Sequence, residues 1–176
     1  MDDHEATGAR DEQQVDDGER PGDLQLSGIV VGVDGSENSL DALRWAASDA
    51  AAHSCELHVV GTYSTPIMTT GYEVAVLDPS DLAAAVMVSL EEAVEVVRSE
   101  GRLTDIDVGL HAVEGHAGER LISASAGARQ LVVGARGHGG FLGLLLGSVT
   151  NYVVGHAKCP VTVVPQELTD EDIENL

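Results

Sequence analysis

Lysine is almost missing. The chain has 176 residues and one lysine, Lys158, against thirty acidic residues, and its net charge is −21. A field of that sign repels phosphate backbones and anionic lipid surfaces, so neither nucleic acid nor a membrane is an expected partner. Aromatic residues are also few: Trp45, Tyr63, Tyr72, Phe141 and Tyr152. The core must therefore be aliphatic. There are two cysteines, Cys55 and Cys159, in no CxxC or Cys/His cluster. A structural zinc site is not expected, and both read as small buried apolar residues. No apolar run reaches membrane-spanning length, and the acidic N-terminus lacks the apolar segment of a secretory signal. The expectation is a soluble, cytoplasmic protein.

The charge that is present is uneven. Residues 1–27 carry nine acids and two arginines, and residues 165–176 carry five acids and no base. Such composition predicts an acidic, disordered arm over 1–27 and an acidic tail over 166–176, flanking one domain at 28–165. Within that domain short aliphatic runs alternate with helical spacing. Strands are predicted at Ile29–Val33, Leu57–Thr62, Ile106–Val113, Leu131–Val133 and Val161–Val164. Helices are expected after Ser36, after Asp78, Ser80 or Asp81, from about Gly118 to Ala126, and after Gly147, while 64–79 reads as irregular. Pro160 and Pro165 bracket the last strand, which suits an edge. The pattern predicts an α/β fold, a single doubly wound open sheet of five parallel strands with helices on both faces.

The most informative stretch runs from Gly134 to Ser148. It holds Gly134, Gly137, Gly139, Gly140, Gly143 and Gly147, between an aliphatic strand and a helix start. Glycines let a ligand approach the backbone, and a helix N-terminus offers free N–H groups to an anion. With no lysines nearby, anion binding would rest on backbone dipoles, Ser148, Thr150 and Arg136. The bland alternative is a flexible glycine connection. In a doubly wound sheet the loop would share a crevice with Asp34, at the end of the first strand. A strand-end Asp before Gly-Ser is either a turn former or a ligand for ribose hydroxyls. His138 reads as an exposed loop histidine. His53, His58, His111, His116 and His156 show no metal-ligand spacing.

The spacing Gly134-x2-Gly137-x9-Gly147-Ser148 resembles the glycine signature of ATP-binding universal stress proteins. Val31-Gly32-Val33-Asp34-Gly35-Ser36 is similar to that family's first strand and Asp loop, and Cys159-Pro160-Val161-Thr162-Val163-Val164 to its closing strand. The likeness spans about 28–165 and implies a sheet of order 3-2-1-4-5, ATP as ligand, and a homodimer formed through the last strand. Position by position it implies that Asp34, with the backbone of Gly32 and Val33, holds ribose and adenine, and that Thr62 meets the adenine edge. Val133, Gly134, Ala135, Arg136 and Gly137 would surround ribose and phosphates. Gly147, Ser148, Val149 and Thr150 would form the phosphate end. On so acidic a protein, ATP would need Mg²⁺ or Mn²⁺ as counter-ion; no side-chain cluster offers a metal site.

Other nucleotide chemistries lack their motifs. There is no GxxxxGK[ST] loop, no GxGxxG after the first strand and no SGGxDS-like loop. No general base stands beside the glycine loop in sequence, so the expectation is a regulatory binding protein and not an enzyme, with slow ATP hydrolysis as one alternative. A second alternative is an interaction protein of the same fold that holds no nucleotide.

Overall fold

Aliphatic β-branched runs set the centre of the molecule. In the computed structural model, the described residues are 24–65, 67–70, 73–76, 78–137 and 145–165. Along the chain they form β1 (Ile29–Gly32), α1 (Glu37–His53), β2 (Leu57–Tyr63), β3 (Ile67–Thr70), β4 (Glu73–Val76), α2 (Pro79–Ser99), β5 (Val108–Glu114), α3 (Ala117–Ala124), β6 (Gln130–Gly134), α4 (Ser148–His156) and β7 (Val161–Val164). Five of the strands make one sheet in the order β5-β2-β1-β6-β7, every pair parallel. Counted among themselves these strands stand in the order 3-2-1-4-5, as the resemblance implies.

Alternation along each strand sends side chains to two separate cores. Ile29, Val31, Val33, Leu57, Val59 and Val132 pack against α1 and α2. The α1 face is mostly alanine, with Ala42, Ala46, Ala47 and Ala50 buried around Leu43, so that helix lies close on the sheet. Val30, Val60, Leu131 and Val133 face the other way, against Leu121 and Ala124 of α3 and Val153 of α4. Burying one such aliphatic side chain contributes about 1.5–3 kcal/mol. Helices thus cover both faces.

Local chemistry starts and stops the helices. Ser36 caps α1, its side chain accepting from the Ser39 N–H. Asp78 caps α2 with Pro79 in the first turn, and the Ser80 hydroxyl and N–H hold its carboxyl below the usual range. Gly101, at φ +78°, turns the chain just past the end of α2.

Three readings need correction. The segment expected to be irregular over 64–79 contains β3 and β4, which pair antiparallel as a separate two-stranded sheet. The packed fold also begins before residue 28: Leu26 sits in the α3–α4 core and its N–H donates to the Ala124 carbonyl at 2.8 Å. The remainder of the proposed arm, 1–23, and the tail, 166–176, lie outside the described residues. Cys55 and Cys159 are half-buried, because each flanks a strand and lies outside its centre.

Candidate functional site

Neighbouring strands β1 and β6 send their chains to opposite faces. β1 leads into α1 on one side, and β6 leads toward α4 on the other. Their carboxyl ends are therefore the switch point of the sheet, where the diverging connections leave a crevice. A cavity of about 490 Å³ opens there, within the range that holds small ligands and cofactors. Its lining brings together Gly32, Val33, Asp34, Thr62, Val133, Gly134, Arg136, Gly137, Gly147, Ser148, Val149 and Thr150.

The strand pleat settles the place of Thr62. Gly61 faces α2, where a Cβ would lie 2.7 Å from Val86 Cγ1. Thr62 thus points to the opposite face, with Val60 and Gly32, and borders the cavity. Leu121 closes that floor: a Cβ on Gly32 would lie 2.9 Å from its Cδ1. Val60, Leu121, Val133, Leu146 and Ala117 give the cavity an apolar portion.

The polar portion is built around Asp34 and α4. Asp34 Oδ1 accepts from the Ser36 N–H at 3.0 Å and from the Ser36 hydroxyl at 2.6 Å. A Cβ at Gly137 would collide with Asp34 Oδ2, so the loop backbone lies directly on the carboxylate and a larger residue there would displace it. The start of α4 is different in kind. Its N-cap is Gly147, which supplies no side-chain hydrogen bond, and the first turn closes when the Asn151 N–H reaches the Gly147 carbonyl at 2.9 Å. The helix itself offers no acceptor for the N–H groups of Ser148, Val149 and Thr150, and all three residues line the cavity. Arg136 is the one cationic side chain and Asp34 the one carboxylate among the described lining residues.

Two expected residues have different duties. Ala135 does not line the cavity: its N–H donates to the Val164 carbonyl at 2.7 Å and its own carbonyl accepts from Gly147 at 2.8 Å. The Thr150 hydroxyl donates to the buried Gly134 carbonyl at 2.7 Å. That proton is spent on the protein, so Thr150 can offer an anion only its N–H. His138 lies outside the described residues, as do 139–144.

The main residue missed from sequence is Asn38, in the first turn of α1 and 4% exposed. Its Oδ1 accepts from the Arg136 N–H at 2.8 Å, and its Nδ2 donates to the Val164 carbonyl at 3.2 Å. Asn38 fastens the loop after β6 to α1 and β7 together. Its partners are 98 and 126 residues away, so no local pattern marks it. Ser39, Asn151, Ala117 and Leu121 line the cavity, whereas Asn38 does not. The spacing i, i+4 of Ala117 and Leu121 was the available signal, since it places both on one face of α3. Among the described residues no three His, Cys, Asp or Glu side chains converge as a metal site, and no helix is long and apolar enough to cross a membrane.

The family model of the universal stress protein family matches residues 27–165. A universal stress protein of Mycobacterium tuberculosis is 35% identical over 156 residues, covering 80% of this chain and 48% of its own length. A second from the same organism is 34% identical over 144 residues, covering 82% of this chain and 47% of its own length. The chain spans about half the length of the curated relatives it matches. Among solved structures, a universal stress protein in complex with cAMP is 28% identical, with a TM-score of 0.55 over 78% of this chain and 95% of that one. The fold is shared with a universal stress protein of Lactobacillus plantarum, at a TM-score of 0.62 and 23% identity, over 80% of this chain and 99% of that one. The chain belongs to the universal stress protein family.

Proposed function

We propose that this universal stress protein holds an adenine nucleotide, ATP with Mg²⁺ or Mn²⁺, at the β1–β6 switch point. In this reading it works as a cytoplasmic, dimeric regulatory protein and not as an enzyme. The observation that carries the reading is the pairing of two features in one cavity. One is a carboxylate already oriented by Ser36, suited to ribose hydroxyls. The other is the uncapped start of α4, whose first N–H groups suit phosphate. The apolar portion lined by Val60, Leu121 and Val133 suits a flat base. A relative's complex with cAMP supports the adenine end of this reading.

Charge supports the counter-ion. Arg136 alone does not offset a triphosphate on a chain of net charge −21. A divalent cation carried on the phosphates does, needs no protein cage, and often keeps several waters. Asp34, the one carboxylate among the described lining residues, accepts two hydrogen bonds from Ser36, which suits a fixed ribose ligand better than a general base. The dimer is supported by β7, which has β6 on one side and ends the sheet on the other. Tyr152 and Val154 of the adjoining α4 are exposed.

Calorimetry of nucleotide-stripped protein with MgATP, AMP and cAMP tests the reading. We expect saturable binding below about 1 mM, a range that corresponds to roughly −4 kcal/mol, and at least a tenfold loss in Gly137→Ala, whose methyl would displace Asp34. No binding of any of the three, with Gly137→Ala indistinguishable from the parent, overturns it. Mass spectrometry of the ligand released on denaturing fresh protein identifies which nucleotide is carried.

A further inference from the structure

Away from the crevice, two histidines meet on an outer strand of the sheet and the strand beside it. His58 of β2 and His111 of β5 lie on neighbouring strands, where His58 stands opposite Gly109 and His111 opposite Val60. Their rings approach diagonally, with centroids 5.3 Å apart, and His58 Nδ1 lies 3.2 Å from His111 Nε2. Gly109 makes the approach possible: a Cβ there would sit 2.7 Å from His58 Nδ1 and 3.0 Å from His111 Nε2. The side chain of His58 is 14% exposed, and His111 is half-buried.

The far side of His58 is also fixed. Its Nε2 lies 3.3 Å from Glu56 Oε2, which in turn accepts from the Ser27 hydroxyl at 3.1 Å. A carboxylate there selects the tautomer with the proton on Nε2, and so leaves the Nδ1 lone pair directed at His111. Carboxylate behind histidine is the arrangement that orients metal-bound imidazoles. Two imidazole nitrogens bound to one tetrahedral ion at ~2.0–2.1 Å stand roughly 3.3 Å apart, and the observed separation is 3.2 Å.

We propose that His58 and His111 chelate one divalent transition-metal ion of the copper, nickel and zinc class, with water completing its coordination. Imidazole ligands suit that class, and affinity within it is highest for Cu²⁺. Binding requires His111 to carry its proton on Nδ1, so the Nε2 proton moves to Nδ1 by way of solvent and no net proton is released from the neutral ring. Glu56 is a positioning residue, acting through His58. The site is independent of the nucleotide crevice and stands or falls without it.

The test uses the full chain, stripped with EDTA and carrying His4→Ala so that the amino terminus does not compete for copper. CuCl₂ is titrated in the calorimeter against glycine as competitor, and pulsed EPR counts the coupled imidazoles. We expect one Cu²⁺ per chain with two imidazole nitrogens. His111→Gln should weaken binding at least tenfold, and Glu56→Gln, at an exposed position, by about tenfold. Coupling to a single imidazole, equal affinity in the parent and His111→Gln, or no binding below millimolar CuCl₂ overturns the proposal. The imidazole count in the parent needs no variant to fold.

Discussion

Helices α1 and α4 both begin at the same crevice, yet their starts are built in opposite ways. At α1 the sequence closes its own end: Ser36 accepts from Ser39, the Ser39 hydroxyl donates to the Ser36 carbonyl, and Glu37 lies in the first turn. At α4 there is no side-chain cap and no acid in the first turn. The first arrangement satisfies donors with the chain itself and adds stability. The second leaves the same donors without an acceptor in the helix itself, beside a cavity. A protein that needed only a stable fold would cap both. The asymmetry separates the end that serves the fold from the end that the proposed function assigns to the ligand.

The largest effect should come from pushing the two starts apart. Gly134→Ala places a methyl 2.8 Å from the Asn38 backbone carbonyl oxygen, and backbone yields less readily than side chains. We expect a loss of about 1–3 kcal/mol in urea unfolding together with loss of nucleotide binding by calorimetry. Next comes an attempt to make α4 resemble α1. Gly147 has φ −69°, and a Cβ there meets nothing closer than 3.5 Å, so Gly147→Asp is tolerated. It should leave thermal stability equal or slightly higher while nucleotide affinity falls tenfold or more, because the new carboxylate occupies the donors and repels phosphate. Equal affinity would show that the open N–H groups are not used.

The converse variant, Ser36→Ala, removes the cap of α1. It should cost about 1 kcal/mol of stability and change nucleotide affinity only a few-fold, through the loosened Asp34. The smallest effect lies far from both helices and serves as a control. His111 has its pKa lowered by burial and by His58, so in the window between its folded value and about 6.5 the unfolded chain binds more protons. Stability should therefore rise with pH through that window and be lost on acidification. Urea melts at pH 5.5 and 7.5 should differ in that direction, and His111→Asn should narrow the difference.

How much of this was legible follows from how local each signal is. Aliphatic runs such as Ile29–Gly32 and Leu131–Val133 declare buried strands wherever they occur, and the alternation with helices then leaves few topologies. Gly134, Gly137 and Gly147 were legible because a glycine requirement is written at its own position. The β3–β4 pair was missed for a local reason: Pro66 and Pro79 bracket it, and its two four-residue strands carry too few residues for alternation to stand out. Asn38 and the His58–His111 pair were missed for another reason. Each depends on register across strands or on partners about a hundred residues away or more, except that the histidines are 53 apart. Thr150 was read as a phosphate donor because sequence shows a hydroxyl but not the carbonyl that takes its proton.

The bonds from Gly147 to the Ala135 carbonyl and from Thr150 to the Gly134 carbonyl have a mechanical consequence. They join the end of β6 directly to the start of α4. Pulling α4 away from the sheet would break both bonds and expose Val153, which is packed in the same core as Leu131 and Val133. Two walls of the crevice are therefore one mechanical unit, and a shift of α4 is passed to the end of β6.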